Sequence, residues 1–185
     1  MKTKSSRFQI HDDLTAPEDS VAVLRSLSKG GQPPNVLGVL AGSPAALRAY
    51  VRARFELRDS TLSLATKERI ALAVAKHYGS EPGMALHERA ARQAGIGVDE
   101  VARAQRFESS DALEQAMLAV LRRLVAGGPT PAHLVEEARE AGWSDEQLLE
   151  AIAFVAMEQL IAMVNVAGDV PIDGSVEEAR HLKAA

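Results

Sequence analysis

The stretch YGSEPGMALHERAA, Tyr78 to Ala91, combines a helix start with a histidine one turn later. Gly83 and His87 are four residues apart, so on a helix the imidazole lies over a position without a side chain, which leaves room for a small molecule. The free N–H groups of the first turn favour an anion such as a carboxylate. Glu68 lies in the first turn of the preceding predicted helix, and a hairpin of the two helices would bring it towards His87. Because a carboxylate that orients an imidazole suits acid–base catalysis, enolisation, lactone isomerisation and decarboxylation are all compatible with this pair.

Each of these residues also has a purely structural explanation. Ser80 stands where a helix N-cap belongs, followed by Glu81 and Pro82, so capping explains it without catalysis. Glu68 would complement the helix dipole or pair with Arg69 or Lys67, and His87 would be a hydrogen-bonded core histidine. A hydrolytic triad of Ser80, His87 and Glu68 would require Ser80 to leave its cap, and no strand–turn–helix nucleophile elbow surrounds it.

The chain contains no cysteine. This excludes disulfides, thiolate metal sites and any thiol redox cycle run by the chain alone. Other metal ligands are poorly arranged, because His77, Glu81 and His87 lack the i, i+4 helical pairing that a zinc site uses. The sequence therefore predicts neither a metal nor a cofactor.

Composition predicts one all-α domain. The chain has 185 residues, 4% aromatic residues and a net charge of −4. Ala and Leu favour helices, whereas strands favour aromatic and β-branched residues. The acidic balance argues against nucleic acid as a partner. The basic residues at the start are followed by HDDLTAPEDS rather than an apolar run, so we expect no signal peptide and a cytoplasmic location.

Start and stop signals predict a bundle of about eight to ten helices over 1–185, with an extension at 1–14 and a tail at 174–185. Ser43 and Pro44 start a helix whose residues Leu47, Tyr50, Val51 and Phe55 are expected to face the core. A capping box at Thr15 to Glu18 opens the first predicted helix, which ends at Gly30-Gly31. A capping box of Ser144 and Gln147 opens the last one, from Asp145 to about Ala167. The remaining predicted helices are a short one in NVLGVLAGSP, Leu64–His77, Glu81–Ala94, VDEVARAQRF, Asp111–Ala126 and PAHLVEEAREAG.

The last of these helices is apolar nearly all round, which predicts burial on several sides or a subunit interface. A transmembrane span is not predicted, because Glu150, Glu158, Gln159 and Asn165 interrupt the apolar run. Glu158 and Asn165 are seven residues apart and share a face. They would line a pocket or hydrogen-bond across an interface, and we favour the interface.

Three segments resemble the carboxymuconolactone decarboxylase and alkylhydroperoxidase-D superfamily: PPNVLGVLAGSPAALRAY, TKERIALAVAKHYGSEPGMALHERAARQAG and MVNVAGDVPID. The resemblance covers roughly residues 8–173 and is closest to the peroxidase-related branch. It implies an all-helical fold and a homo-oligomer, either a trimer or a hexamer.

The resemblance assigns roles to particular positions. The redox members have a glutamate, a Cys-x-x-Cys pair twelve residues later and a histidine four residues after the second cysteine. Glu68 and His87 occupy the glutamate and histidine positions here, whereas Ser80 and Gly83 occupy the cysteine positions. A serine and a glycine cannot attack a peroxide bond or resolve the product. The decarboxylase members carry charged residues at these two positions, so the chain departs from both patterns.

Our leading hypothesis is a cofactor-free, lyase- or isomerase-like enzyme that acts on a small acidic or lactone-like metabolite. Glu68, His87 and Ser80 are its candidate catalytic residues, and Gly83, Met84 and Asn165 are candidate substrate-binding residues. The alternative is a non-catalytic oligomer that binds a small molecule or serves as a scaffold. Thiol peroxidase activity, which the family name suggests, is not expected from this chain alone.

Overall fold

The computed structural model describes residues 6–28 and 32–174. These residues form nine helices and no strand, so the predicted all-α bundle is confirmed. The predicted tail, apart from Gly174, lies outside the described residues. The helices are α1 (Glu18–Ser28), α2 (Asn35–Ala41), α3 (Pro44–Arg58), α4 (Leu64–Tyr78), α5 (Glu81–Gln93), α6 (Val98–Ala104), α7 (Ala112–Val125), α8 (Ala132–Ala141) and α9 (Asp145–Gly168).

Most helices begin at the residue that the sequence predicts, because the cap side chains satisfy the free N–H groups of the first turn. Ser43 caps α3 and Ser80 caps α5. Ser144 and Gln147 form the predicted reciprocal capping box at the start of α9.

The first helix differs from its prediction. Helix α1 begins at Glu18, three residues after the expected cap. The Thr15 hydroxyl instead donates to Asp12 Oδ1 at 2.8 Å, within a turn that precedes the helix. The predicted stop at Gly30-Gly31 lies outside the described residues.

Helices α4 and α9 form the centre of the bundle. Six consecutive residues of α4, residues 70–75, are buried. Helix α9 packs against α2, α3, α4, α5 and α7. By length and composition alone α9 is apolar enough to cross a membrane. Its contacts with five other helices make it the central helix of the described bundle.

The prediction that Phe55 faces the core is wrong. Its side chain is 58% exposed, whereas Leu47 and Tyr50 on the same helix are buried. Phe55 follows Tyr50 by five residues, which turns it about 140° around the helix axis and away from the buried stripe. The Arg58 guanidinium covers its ring at 4.8 Å from the ring centre.

A partly buried charge network joins α4 to α6 and α7. Arg69 Nε lies 3.2 Å from Glu100 Oε1, and its Nη1 lies 3.5 Å from Glu114 Oε1. The Thr66 hydroxyl donates to the same Glu114 oxygen at 2.7 Å. Arg69 is therefore paired with these two glutamates and not with its neighbour Glu68, which contacts His87.

Candidate active site

The hairpin of α4 and α5 brings Glu68 against His87. Gly79 ends α4 in the left-handed conformation with φ 70°, which L side chains rarely adopt, and lets the chain reverse within two residues. Ser80 then starts α5, which packs against α4. As a result His87 Nδ1 lies 2.9 Å from Glu68 Oε2 in hydrogen-bond geometry.

A second carboxylate contacts the other side of the imidazole. Glu158 on α9 places Oε2 3.3 Å from His87 Nε2, close enough for an ion pair but without the geometry of the Glu68 hydrogen bond. The side chains of His87, Glu68 and Glu158 are only 12%, 13% and 9% exposed. Three helices therefore converge on one imidazole between two carboxylates.

The surroundings of His87 favour its protonated form. Burial by itself would lower the pKa of the imidazole, but the adjacent carboxylates of Glu158 and Glu68 outweigh burial and raise the pKa of His87 to about 9. His87 is therefore an imidazolium at neutral pH. An imidazolium can donate a proton but cannot accept one, so the expected role of His87 as a base has to pass to a carboxylate.

This shift predicts that the protein loses stability as pH rises. Below the ordinary pKa of 6.5 the imidazole is protonated in both the folded and the unfolded chain, so the full stabilisation is present. It is lost as pH rises through the folded-state pKa of about 9. The raised pKa corresponds to on the order of 3 kcal/mol. Urea unfolding across this interval measures the loss, and His87→Gln is the control, because its stability should change far less between the two pH values.

A cleft of about 280 Å³ opens beside this cluster. Glu68, His87 and Glu158 all line it. The remaining lining residues supply an apolar wall and three cations: Leu57, Leu64, Leu86, Ala90, Phe154, Met157, Arg54, Arg58 and Lys67. A small molecule with an apolar body would fit against this wall with one end at the imidazolium.

The structure places Ser80 and Asn165 behind the cleft rather than in its wall. Ser80 is 1% exposed and its Oγ accepts from Gly83 N at 3.2 Å. Asn165 Nδ2 donates to the same oxygen at 3.0 Å. Both Glu158 and Asn165 contact residues of their own chain, and of the two Glu158 alone lines the cleft. No contact joins Ser80 to His87 within the described residues.

The space expected beside Gly83 is already filled. A Cβ at Gly83 would lie 2.8 Å from Ser80 Oγ and 3.1 Å from the Ala75 Cβ. Glycine therefore serves close packing of α5 against its own cap and α4. Neither Gly83 nor Met84 lines the cleft.

We expect Ser80→Ala to destabilise the protein by about 2–3 kcal/mol. The change removes a cap, which contributes about 1 kcal/mol, and leaves the buried Asn165 amide unpaired at a further cost of about 1–2 kcal/mol. Asn165 Oδ1 already lacks a partner among the described residues. Ser43→Ala is the matched control, because Ser43 caps α3 in an exposed position. Equal losses of unfolding free energy in the two variants would contradict the role of the Asn165 contact.

No group of three His, Asp or Glu side chains in the described ranges has the arrangement of a metal site. In the cluster of Glu68, His87 and Glu158, the imidazole contacts a carboxylate through each of its ring nitrogens. The arrangement is suited to holding and moving protons.

Residues 44–126 match the model of the carboxymuconolactone decarboxylase family. The match begins at α3 and ends just after α7, and it includes Glu68 and His87 but not Glu158. A search of curated proteins finds no match to the chain.

Solved structures share the fold over nearly the whole chain. An alkylhydroperoxidase AhpD core, an uncharacterized peroxidase-related protein from Ralstonia eutropha JMP134, is 19% identical with a TM-score of 0.77, and the match covers 94% of this chain and 95% of that one. An uncharacterized peroxidase-related protein from Silicibacter sp. TM1040 is 22% identical with a TM-score of 0.73, covering 93% and 95%.

A third similar structure contains a ligand. It is a cysteine-to-alanine variant of the debrominase Bmp8 in complex with 2,3,4-tribromopyrrole, 16% identical with a TM-score of 0.72, covering 98% of this chain and 99% of that one. These identities support a shared fold alone. The chain thus shares its fold with these structures, its residues 44–126 resemble the carboxymuconolactone decarboxylase family, and it contains no cysteine.

Proposed function

We propose that this chain is a cofactor-free cytoplasmic enzyme that moves a proton on a small acidic or lactone-like metabolite. The observation that carries the proposal is the imidazolium of His87 held between Glu68 and Glu158 at the wall of a cleft. Enolisation requires a proton donor and a proton acceptor together in a site that is partly shielded from solvent.

The two nitrogens of His87 differ in what they can do. The hydrogen bond of Nδ1 to Glu68 fixes the orientation of the ring. The ion pair of Nε2 with Glu158 is longer, so a substrate oxygen can replace Glu158 as the acceptor of this N–H at a smaller cost. Glu158 is then released to act as the base, and Glu68 remains the positioning residue.

The resulting step requires no oxidant, reductant or metal. Glu158 takes a proton from the carbon next to a carbonyl, and the electron pair of the broken C–H bond forms the C=C bond of an enolate. The Nε2–H of His87 donates to the developing oxyanion, which stabilises it. Return of the proton to the same carbon exchanges it, and return to a conjugated carbon isomerises the substrate.

The size of the cleft supports a ring-sized substrate. Pockets for small molecules begin at about 300 Å³, close to the volume found here. The ligand of the debrominase structure, 2,3,4-tribromopyrrole, is a compact ring of this class. A cysteine-dependent reaction is not part of the proposal, because this chain has no cysteine.

Deuterium incorporation tests the proposal directly. The purified protein is incubated in D₂O with a panel of small keto acids and lactones, and exchange at carbon is followed by NMR. We expect at least one compound to exchange faster than without protein, and we expect His87→Gln to abolish the difference. Exchange by His87→Gln at the wild-type rate, or no exchange with any compound, would contradict the proposal.

A non-catalytic binding protein is the second candidate. The observation that favours it is the contact of His87 with both Glu68 and Glu158, since an imidazolium paired with two carboxylates also stabilises a fold without any reaction. This candidate predicts that ring-sized ligands bind in the cleft and are recovered without deuterium. The same D₂O experiment therefore separates the two functions.

We further propose that the chain is a homo-oligomer assembled through the outer face of α9. Five large apolar side chains on this face are exposed: Leu149, Ile152, Leu160, Met163 and Val166. Their spacing puts them on one stripe, opposite Glu158 and Asn165. A second copy of the same stripe would cover it, since self-association commonly pairs identical patches.

Met163→Glu should then shift the protein to a smaller species in sedimentation velocity. The expected cause is the burial of a charge in the apolar contact. Leu14→Glu is the control, because Leu14 is 85% exposed and lies outside the stripe. A wild-type monomer, or an unchanged Met163→Glu oligomer, would contradict this assembly.

A further inference from the structure

Arg54 differs from the other two cations of the cleft in its partners. Arg58 donates from Nε and Nη2 to the two oxygens of Asp59, both at 3.0 Å. Lys67 Nζ donates to the Arg58 carbonyl oxygen at 3.0 Å. Among residues 6–28 and 32–174 neither Arg54 nor Lys67 has a carboxylate within ion-pair distance, but Arg54 adds a planar fork whose position the Tyr50 hydroxyl fixes. Its guanidinium therefore has charge and donors to spare.

A buried tyrosine fixes the position of this guanidinium. Arg54 Nη1 donates to the Tyr50 hydroxyl oxygen at 3.0 Å, four residues earlier on α3. Tyr50 is 5% exposed and packs in a core cluster with residues of α2 and α9. Burial raises the pKa of Tyr50, so its hydroxyl stays neutral. One nitrogen of Arg54 is thereby held while the remaining donors stay free at the exposed cleft wall.

We propose that Arg54 selects the substrate of this cleft by binding the carboxylate of a ring-sized anion, with Tyr50 as its positioning residue. The inference rests on the proposed function and narrows its substrate class from acidic or lactone-like compounds to carboxylates. The planar fork of an arginine matches the two oxygens of a carboxylate. The apolar body of the anion then lies against Phe154 and Met157, which line the same cleft.

The charges of the cleft favour such a ligand. Glu68 and Glu158 carry two negative charges, which the imidazolium of His87 and the guanidinium of Arg54 offset, and Lys67 adds a further positive charge beside the Asp59-paired Arg58. Loss of Arg54 would weaken the attraction for an incoming anion. With it, the carboxylate end is bound at α3 while the opposite end of the ring is free to reach Glu158 and His87.

Benzoate and benzamide are the probes for this inference, because they have the same shape and differ in charge. Calorimetric titration at about pH 7 should show benzoate binding on the order of tenfold to a hundredfold more tightly than benzamide. Arg54→Met should remove this preference, and Tyr50→Phe should weaken benzoate binding several-fold. Arg58→Met is the matched control, because Arg58 is already paired with Asp59, and it should keep the preference.

Each outcome decides the matter. A preference that survives Arg54→Met, or equal binding of the two probes to the wild type, would overturn the inference. Undetectable binding of benzoate at millimolar concentration would overturn it as well. Circular dichroism of Arg54→Met guards against misfolding, and Arg54→Lys, which keeps the charge but not the fork, should restore only part of the preference.

Binding and turnover remain separable in this design, because benzoate has no enolisable carbon. If the proposed proton transfer fails while the benzoate preference holds, the anion site stands without the reaction. If exchange occurs but the preference for benzoate over benzamide does not depend on Arg54, the proposed reaction stands and the proposed substrate class is wrong.

Discussion

His87→Ala is expected to destabilise the folded protein by about 3–5 kcal/mol near pH 7. The wild-type imidazolium separates and neutralises Glu68 and Glu158, whose side chains are 13% and 9% exposed. Removing it leaves two partly desolvated carboxylates without their cation. We expect the loss to shrink towards pH 5, because the variant can relieve the repulsion by taking up a proton. Urea unfolding at the two pH values measures both effects.

Two variants make this result specific. His133→Ala removes an exposed histidine and should change the unfolding free energy by no more than about 0.5 kcal/mol. Adding Glu158→Gln to His87→Ala should recover part of the lost stability, since one of the two unpaired charges is gone. A His87→Ala protein as stable as the wild type would mean that the two carboxylates do not depend on the imidazolium.

Glu158→Gln should lower the rate of deuterium exchange into a responsive substrate by about 10²–10⁴-fold. The amide keeps the size of the side chain but cannot accept the carbon-bound proton. Glu68→Gln should cost less, because in our proposal Glu68 only orients the ring through Nδ1. NMR of substrate in D₂O measures both variants against the wild type.

The comparison between the two glutamates is the control. Both variants remove one negative charge beside the same imidazolium, so a purely electrostatic effect would lower exchange equally. A larger loss from Glu68→Gln than from Glu158→Gln would reverse their assigned roles. Glu158→Gln activity equal to that of the wild type would exclude Glu158 as the base.

Local signals predicted the helices well, because caps and stop residues act over only a few residues of sequence. The Ser144 and Gln147 box and the Ser43 and Pro44 start lie where expected. The prediction that Thr15 caps the first helix was wrong, because its hydroxyl hydrogen-bonds within the preceding turn instead of at the helix N-terminus. The prediction that Phe55 faces the core was wrong, because the buried stripe of α3 is narrower than the spacing of its apolar residues suggests.

The hairpin made half of the site predictable. The Gly79 and Ser80 reversal is local, so the meeting of Glu68 and His87 followed from the sequence. Glu158 arrives from a helix 71 positions beyond His87, and no local pattern specifies that contact. A signal was present, however, because a charge within a long apolar helix has to find a partner when it is buried.

The residues behind the cleft required three-dimensional packing. The space next to Gly83 depends on where Ser80 Oγ and the Ala75 side chain come to lie. Asn165 contacts Ser80 from α9, and its spacing to Glu158 alone could not predict this contact. Tyr50 was expected in the core, but its hydrogen bond to Arg54 at the cleft was not.

The most direct test of the central claim is a pH titration of the His87 ring by NMR, with the resonance assigned by its loss in His87→Gln. We predict an imidazolium that persists to about pH 9. We also expect a lower pKa of His87 in both Glu68→Gln and Glu158→Gln, because each variant removes a charge that stabilises the imidazolium. A wild-type pKa at or below the ordinary 6.5 would contradict the paired cluster and the proton chemistry built on it.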